Sequence, residues 1–285
     1  MASISLQVSL VLALIAIFAL PGKCLPGKQF GSGSLTYTKL EARASGQCDS
    51  NWPKIDGIVS LKEQKLINED FDCQNKLYKS SGGSVFRVSG GVTISNCFFE
   101  QSGESDTIQI EGSGSYTVSN CYFKSTGDDG ISIKGAADVT IKNVYFMKAG
   151  NKAVQHDGSG TVTVIGGCFQ DVHILAKSCG NCEVNSSVSG RTINVKDVTI
   201  IDVKTVCGVN TNKNDVCTVT GLKGTPTESV CTGYEGITNP SILPKQTSKN
   251  EKIRCTLCFL MKSNLFLPLD VFTFFCETSK ARIHT

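Results

Sequence analysis

Four residues in one register raise the chemical question. Asp106 and Asp129 stand 23 residues apart, Lys152 follows after another 23, and Asp128 adjoins Asp129. Carboxylates brought together repel one another unless a proton or a cation sits among them. Neither histidine nor cysteine accompanies these three aspartates, so the donor set is hard oxygen, which suits Ca2+ better than zinc. A basic side chain beside such a centre is placed to take a proton or to hold an anionic ligand. The structural alternative is a plain turn, because the GDDG of residues 127–130 is made of ordinary turn residues. Three carboxylates and a lysine in one register argue for more than a turn. Five residues further on, Glu111, Lys134 and Asp157 repeat the spacing with alternating sign. A surface charge ladder of that kind is worth little in itself, but Lys134 would share its turn with Asp129.

That register belongs to a repeat. VTISNCFF begins at Val92, YTVSNCYF at Tyr116, VTIKNVYF at Val139 and VTVIGGCF at Val162, which aligns Asn96, Asn120, Asn143 and Gly166. Asp197 in TINVKDVTI and Gly221 in CTVTGL continue the column. Beside it, TIQIEG, ISIKG and AVQHDG end at Gly112, Gly135 and Gly158. A unit of short β-branched strands cannot bury its own apolar face, but stacked copies can. The expected fold is all-β: a single-stranded right-handed parallel β-helix (solenoid) with a short N-terminal cap and rungs about 4.8 Å apart. The aligned asparagines would form a left-handed corner whose amides bond between turns, with no catalytic role. Stacking also puts Cys97 and Cys121 within disulfide reach, two stacked thiols being the alternative. Trp52 is expected to cap the first rung, His173 to fill a loop position beside the cleft, and Arg87 and Arg191 to sit at the surface or a ladder edge.

Composition narrows the class. The 285 residues include 28 Gly and 14 Cys, with 19% charged residues and a formal charge of +3. That excludes a disordered chain and a basic nucleic-acid-binding surface. The apolar run Leu6 to Leu20 is too short for a membrane span and reads as a secretory leader, residues 1–24, cut after Cys24. The expectation is a secreted, extracellular monomer, with neither membrane nor nucleic acid as partner, in a setting where disulfides persist. Residues 25–84 would form the N-terminal segment and cap, and 85–247 the β-helix. Residues 248–285, rich in Phe and carrying Cys255, Cys258 and Cys276, read as an appended tail, or else as an extension covering an exposed core edge. Residues 25–247 hold 21 Lys and Arg against 22 Asp and Glu, so cations act locally there. They also hold ten cysteines, an even number as full pairing requires. Asn185-Ser-Ser is a formal glycosylation acceptor.

Four segments carry a family resemblance: VFRVSGGVTISN, GDDGISIKG, NKAVQHDGSGTVTV and AKSCGNC. In this order they resemble the class III pectate lyases (polysaccharide lyase family 3), secreted Ca2+-dependent β-helix enzymes, from about Val85 to Gly221. The resemblance implies calcium ligands at Asp106, Asp128 and Asp129 and family lysines at Lys152 and Lys134. Lys177 stands where the family has arginine, Ile174 where it usually has lysine, and Asp128 where it usually has glutamate. The implied reaction is β-elimination in polygalacturonate, leaving a 4,5-unsaturated product. Lys152 is the first choice for the base and Lys177 the second, with Lys134 holding substrate carboxylates. Lysine at 177 keeps charge without the planar fork of arginine, and Ile174 removes a cation, so reduced or altered activity is expected. Two other readings stand beside it. A polygalacturonase-type hydrolase would need G-H-G and R-I-K signatures that the sequence lacks. A catalytically silent β-helix that binds acidic glycan is kept alive by Ile174 and Lys177.

Overall fold

The computed structural model describes residues 48–50, 52–181, 188–239 and 241–249, together with the strands Cys255–Lys262 and Phe272–Thr278. The expected leader and Asn185 lie outside the described residues. The chain winds into a parallel β-solenoid of about seven turns. Each full turn lays one short strand on each of three faces. The first face stacks Gly57–Ser60, Lys76–Ser80, Phe98–Gln101, Tyr122–Ser125 and Tyr145–Phe146. The second stacks Gln64–Ile67, Phe86–Ser89, Ile108–Ile110, Asp129–Ile133 and Lys152–His156. Both faces then meet in the long strand Cys168–Ser178, followed by Thr199–Asn210 and Ser229–Glu235. The third runs from Phe71–Asp72 through Thr93–Ser95, Gly114–Ser119, Ala137–Lys142, Thr161–Ile165 and Thr192–Lys196 to Val216–Thr220.

The repeat dictates this register. Tyr116 pairs with Val139 and Val139 with Val162, the same residues that head the sequence motifs. Asn96, Asn120, Asn143 and Asp197 all adopt left-handed backbone, with φ of 54°, 52°, 51° and 54°. Their side chains bond between turns: Asn96 Nδ2 donates to Asp72 Oδ1 at 3.1 Å, and Asn120 Nδ2 to Asn96 Oδ1 at 3.4 Å. Asn and Asp tolerate this conformation because a short polar side chain can bond locally. Inside the coil, Phe99, Phe123, Phe146 and Phe169 stack at centroid spacings of 4.8, 4.2 and 5.3 Å. Each is fully buried, and burial of such a side chain is worth about 1.5–3 kcal/mol.

Several placements depart from expectation. Cys97 is bonded to Cys73, one turn before it, with Cα atoms 4.8 Å apart, and Cys121 is a buried free thiol. Cys97 has a cysteine on both neighbouring turns, and a sulfur can bond only one. The even count of ten therefore does not mean full pairing. Trp52 does not cap the first rung: its indole meets Phe98 and Tyr122 edge-on at 5.8 and 5.6 Å, outside the third and fourth strands of the first face. The disulfide Cys48–Cys168 anchors this segment still further along the solenoid. The N-terminal segment is thus a strap running back over an outward aromatic column, because Phe98, Tyr122 and Tyr145 need a cover. Arg191 is 1% exposed rather than superficial. Its guanidinium donates to the Asp157 and Gly158 carbonyls and pairs with Asp215, which also accepts from Asn210.

In the tail, Cys255–Lys262 pairs in parallel with Val216–Thr220, and Phe272–Thr278 pairs antiparallel with Cys255–Lys262. Among the described residues no helix is long and apolar enough to cross a membrane.

Candidate active site

The second face positions the site. From Ile131 and Val154 onward its strands alternate core-facing residues with outward polar ones. The alternation breaks at Gly130 and Ala153, since a side chain at 130 would also strike the core ring of Phe146. This leaves Asp129 and Lys152 on the outer side although they share the parity of Ile131 and Val154. In register, Asp129 pairs with Lys152 and Lys152 with Ile174, so one outward column crosses three turns. Asp106 occupies the preceding turn, just before Ile108–Ile110. A second outward column carries Gln109, Ser132, Gln155, Lys177 and Gly208.

Gly127 and Gly130 make room for the two aspartates between them. A Cβ at Gly127 would lie 2.6 Å from the Gly103 carbonyl, and one at Gly130 would lie 2.6 Å from the Ala153 carbonyl and strike the Phe146 ring. The turn therefore packs directly against the coils on either side, and both flanking glycines are steric requirements.

Asp106, Asp128 and Asp129 each bring a carboxylate oxygen within 4.8 Å of the others. Asp106 and Asp129 are buried and Asp128 is exposed, so the cluster opens outward. Gln109 Nε2 donates to Asp106 Oδ2 at 2.9 Å, and Asn151 Nδ2 to Asp128 Oδ1 at 3.2 Å. The Lys152 backbone N–H and its ammonium both meet Asp129 Oδ1, at 3.1 and 3.0 Å. Burial pushes the Asp129 carboxyl up to about 7; Lys152 opposes the shift, and Asp128 and Asp106 add to it. A carboxylate so poorly hydrated, beside two others, is stabilised by a proton or by a hard cation. Three converging oxygens with an open side fit Ca2+, which takes carboxylate, carbonyl and water oxygens together.

The lysines divide in role. Lys134 lies 3.4 Å from Asp106 Oδ2, while Glu111 pairs with Arg87, which also meets Glu63 at 3.0 Å. Lys134 thus meets the carboxylate of the preceding turn, and Glu111 is held by Arg87. Lys177 places its ammonium over the Tyr234 ring, 4.1 Å from the centroid. Burial, helped by Lys152 and opposed by Asp129, brings Lys177 down to about 8. Ile174 is 5% exposed and fills the place between Lys152 and Thr205. His173 is exposed and lies within the same strand, Cys168–Ser178, rather than in a loop.

Sequence reasoning missed Gln109, Asn151 and Tyr234. Gln109 was legible as the outward residue of TIQIEG, and Asn151 as the neighbour of Lys152. Tyr234 lies beyond the clear repeats, and nothing in the spacing pointed to it.

The family profile described as pectate lyase matches residues 42–241. Pectate lyase E of Emericella nidulans is 31% identical over 81 residues, 28% of this chain. The match spans only 30% of the length of that curated relative. The crystal structure of the catalytic domain of pectate lyase PelI from Erwinia chrysanthemi is similar at a TM-score of 0.59 and 22% identity, covering 70% of this chain and 95% of that one. PelI in complex with tetragalacturonic acid gives 0.59 at 22% identity, covering 67% and 66%. Pel3 from Pectobacterium carotovorum gives 0.55 at 20%, covering 67% and 66%.

Proposed function

The chain belongs to the pectate lyase family, and from that premise we propose that it is a secreted, calcium-dependent lyase that cleaves polygalacturonate by β-elimination to 4,5-unsaturated oligogalacturonides. The observation that carries the proposal is the convergence of Asp106, Asp128 and Asp129 within 4.8 Å, with Lys134, Lys152 and Lys177 around them. The disulfides Cys48–Cys168, Cys73–Cys97 and Cys207–Cys217 support an oxidising destination. The complex of PelI with tetragalacturonic acid supports the substrate class.

The three aspartates would hold Ca2+, which when bound offsets the negative charge of a uronate carboxylate and so acidifies the adjoining C5–H. Lys152 commits its ammonium to Asp129 and positions that carboxylate. Lys134 stands beside Asp106, where it can meet a second substrate carboxylate. Lys177, brought down to about 8, is partly neutral in mild alkali and is the better base of the two lysines named for that role. It takes the C5 proton, the electron pair of that bond forms the C4–C5 double bond, and the C4–O bond breaks with its pair leaving on oxygen. No water attacks. An inverting hydrolase sets its acid and base about 6.5–9.5 Å apart to admit a water, whereas these carboxylate oxygens lie within 4.8 Å.

Ultraviolet absorbance of the unsaturated product on polygalacturonate, with calcium and with chelator, tests the proposal. Calcium-dependent product in mild alkali is the expected result, and its absence rejects the enzyme. Buried Ile174, an apolar residue next to Lys152 in the column, favours one second reading: a solenoid that holds acidic glycan without turnover. Oligogalacturonide binding with no product at any pH would establish it.

A further inference from the structure

Lys177 leans across a gap that no side chain fills. In register it pairs with Gly208, and Gly208 pairs with Thr232, two residues before Tyr234. Side chains two rungs apart start about 10 Å from each other. Here the lysine stem and the tyrosine ring meet over the bare backbone of Gly208: a Cβ there would lie 2.9 Å from Lys177 Cγ and 3.0 Å from Tyr234 Cε2. The ammonium ends 4.1 Å from the ring centroid, within the range of a cation–π contact. The ring is itself anchored, since Thr211 Oγ1 donates to the Tyr234 carbonyl at 3.1 Å and the strand carrying it pairs on both sides.

We propose that Tyr234, laid across Gly208, is a positioning residue that holds the Lys177 ammonium beside the acidic column and shields it from water. The inference rests on the reading of Lys177 as the base. An arginine has a planar fork that is rigid by itself, whereas a lysine arm has four flexible bonds. The ring and the glycine gap supply the rigidity that lysine at this position lacks. Tyr234 touches no reacting atom in this arrangement and acts through Lys177.

The charged and titratable groups around Lys177 are Lys152 and Asp129 on the preceding turns, His173 on its own strand, and Lys204, Glu228 and Tyr234 on the following ones. Replacing the ring alters none of the others directly. Tyr234→Leu removes the ring that covers Lys177. Relief of desolvation, the largest cause of its lowering, outweighs the lost cation–π attraction. The Lys177 titration therefore moves up towards the ordinary lysine range, and the alkaline rise of kcat moves up with it. The expected loss in kcat at pH 8 is about 10- to 100-fold, with KM little changed. Gly208→Ala, which wedges stem from ring without removing either, is expected to act in the same direction. Tyr234→Phe keeps the ring and is expected to rescue both properties.

The experiment measures kcat and KM against pH for the three variants, alongside NMR titration of the Lys177 ammonium in the full chain and thermal melting to verify folding. If Tyr234→Leu does not fold, Gly208→Ala carries the test. An unchanged Lys177 titration and an unchanged kcat profile in the folded variants overturn the proposal. A parent without unsaturated product instead refutes the lyase reading, and the NMR titration then decides the positioning role alone: a raised Lys177 value supports it, and an unmoved one overturns it.

Discussion

Lys152 and Asp129 are joined twice across one rung, by the backbone N–H at 3.1 Å and by the ammonium at 3.0 Å, on the same carboxylate oxygen. Lysine at this place therefore serves the acidic cluster first. Lys177, by contrast, rests on an aromatic face.

The two lysines are expected to respond differently to methionine. Lys177→Met removes the proposed base and should lower kcat by about 10²- to 10⁴-fold while leaving the calcium midpoint in place. Lys152→Met leaves a buried carboxylate without its counter-charge and should move that midpoint as well as kcat. Calcium titration of the initial rate separates them.

Asp129→Asn keeps shape and removes one ligand charge. The parent is expected to melt at a higher temperature when calcium is added, because an ion that binds only the folded state stabilises it. The variant should lose most of that increment and most of the product. Melting curves with chelator and with calcium, read beside isothermal titration, check this.

His156 fills an inward position in line with Ile110 and Ile133 and is fully buried. Burial, with Arg191 nearby, lowers it from 6.5 to about 4. The neutral form is therefore compatible with the fold and the charged form is not. Stability from this group is complete above pH 6.5 and is lost as pH falls towards 4, by something on the order of 3 kcal/mol. Denaturant unfolding between pH 7 and 4 should show the loss in the parent and a flatter profile in His156→Gln.

The N-terminal strap is held by Cys48–Cys168, which closes a sequence separation of 120 residues. Replacing both cysteines by serine is expected to cost about 3–5 kcal/mol, the range for closing a long loop. Trp52→Ala should loosen the same segment by uncovering Phe98 and Tyr122. Proteolysis near residue 52, faster in either variant while calcium binding persists, would show that the strap is separate from the site.

Much of the architecture was legible because a solenoid writes its register into the chain. Residues one period apart must stack, so the motif columns predicted the pairs Tyr116 with Val139 and Val139 with Val162. The same logic placed Asp129 over Lys152. It was less informative where several partners share a column. Cys97 could bond upward or downward and took Cys73. Lys134 could reach along its column or across it, and it meets Asp106. Arg191 follows an irregular excursion between repeats, and no periodicity marked it for burial.

The sequence by itself determined the repeat, the β-solenoid it implies, and the spacing that aligns Asp106, Asp129 and Lys152, because stacking converts a constant period into adjacency. Only the tertiary structure decided which neighbours those side chains hold. It joined Lys152 to Asp129, brought Gln109 and Asn151 to the carboxylates, strapped Trp52 over the outer aromatic column, and laid Lys177 on Tyr234 across Gly208. The physical reason is reach: a backbone period sets where each Cα stands, while a side chain of several bonds chooses among all the groups within its length, and burial and charge make that choice.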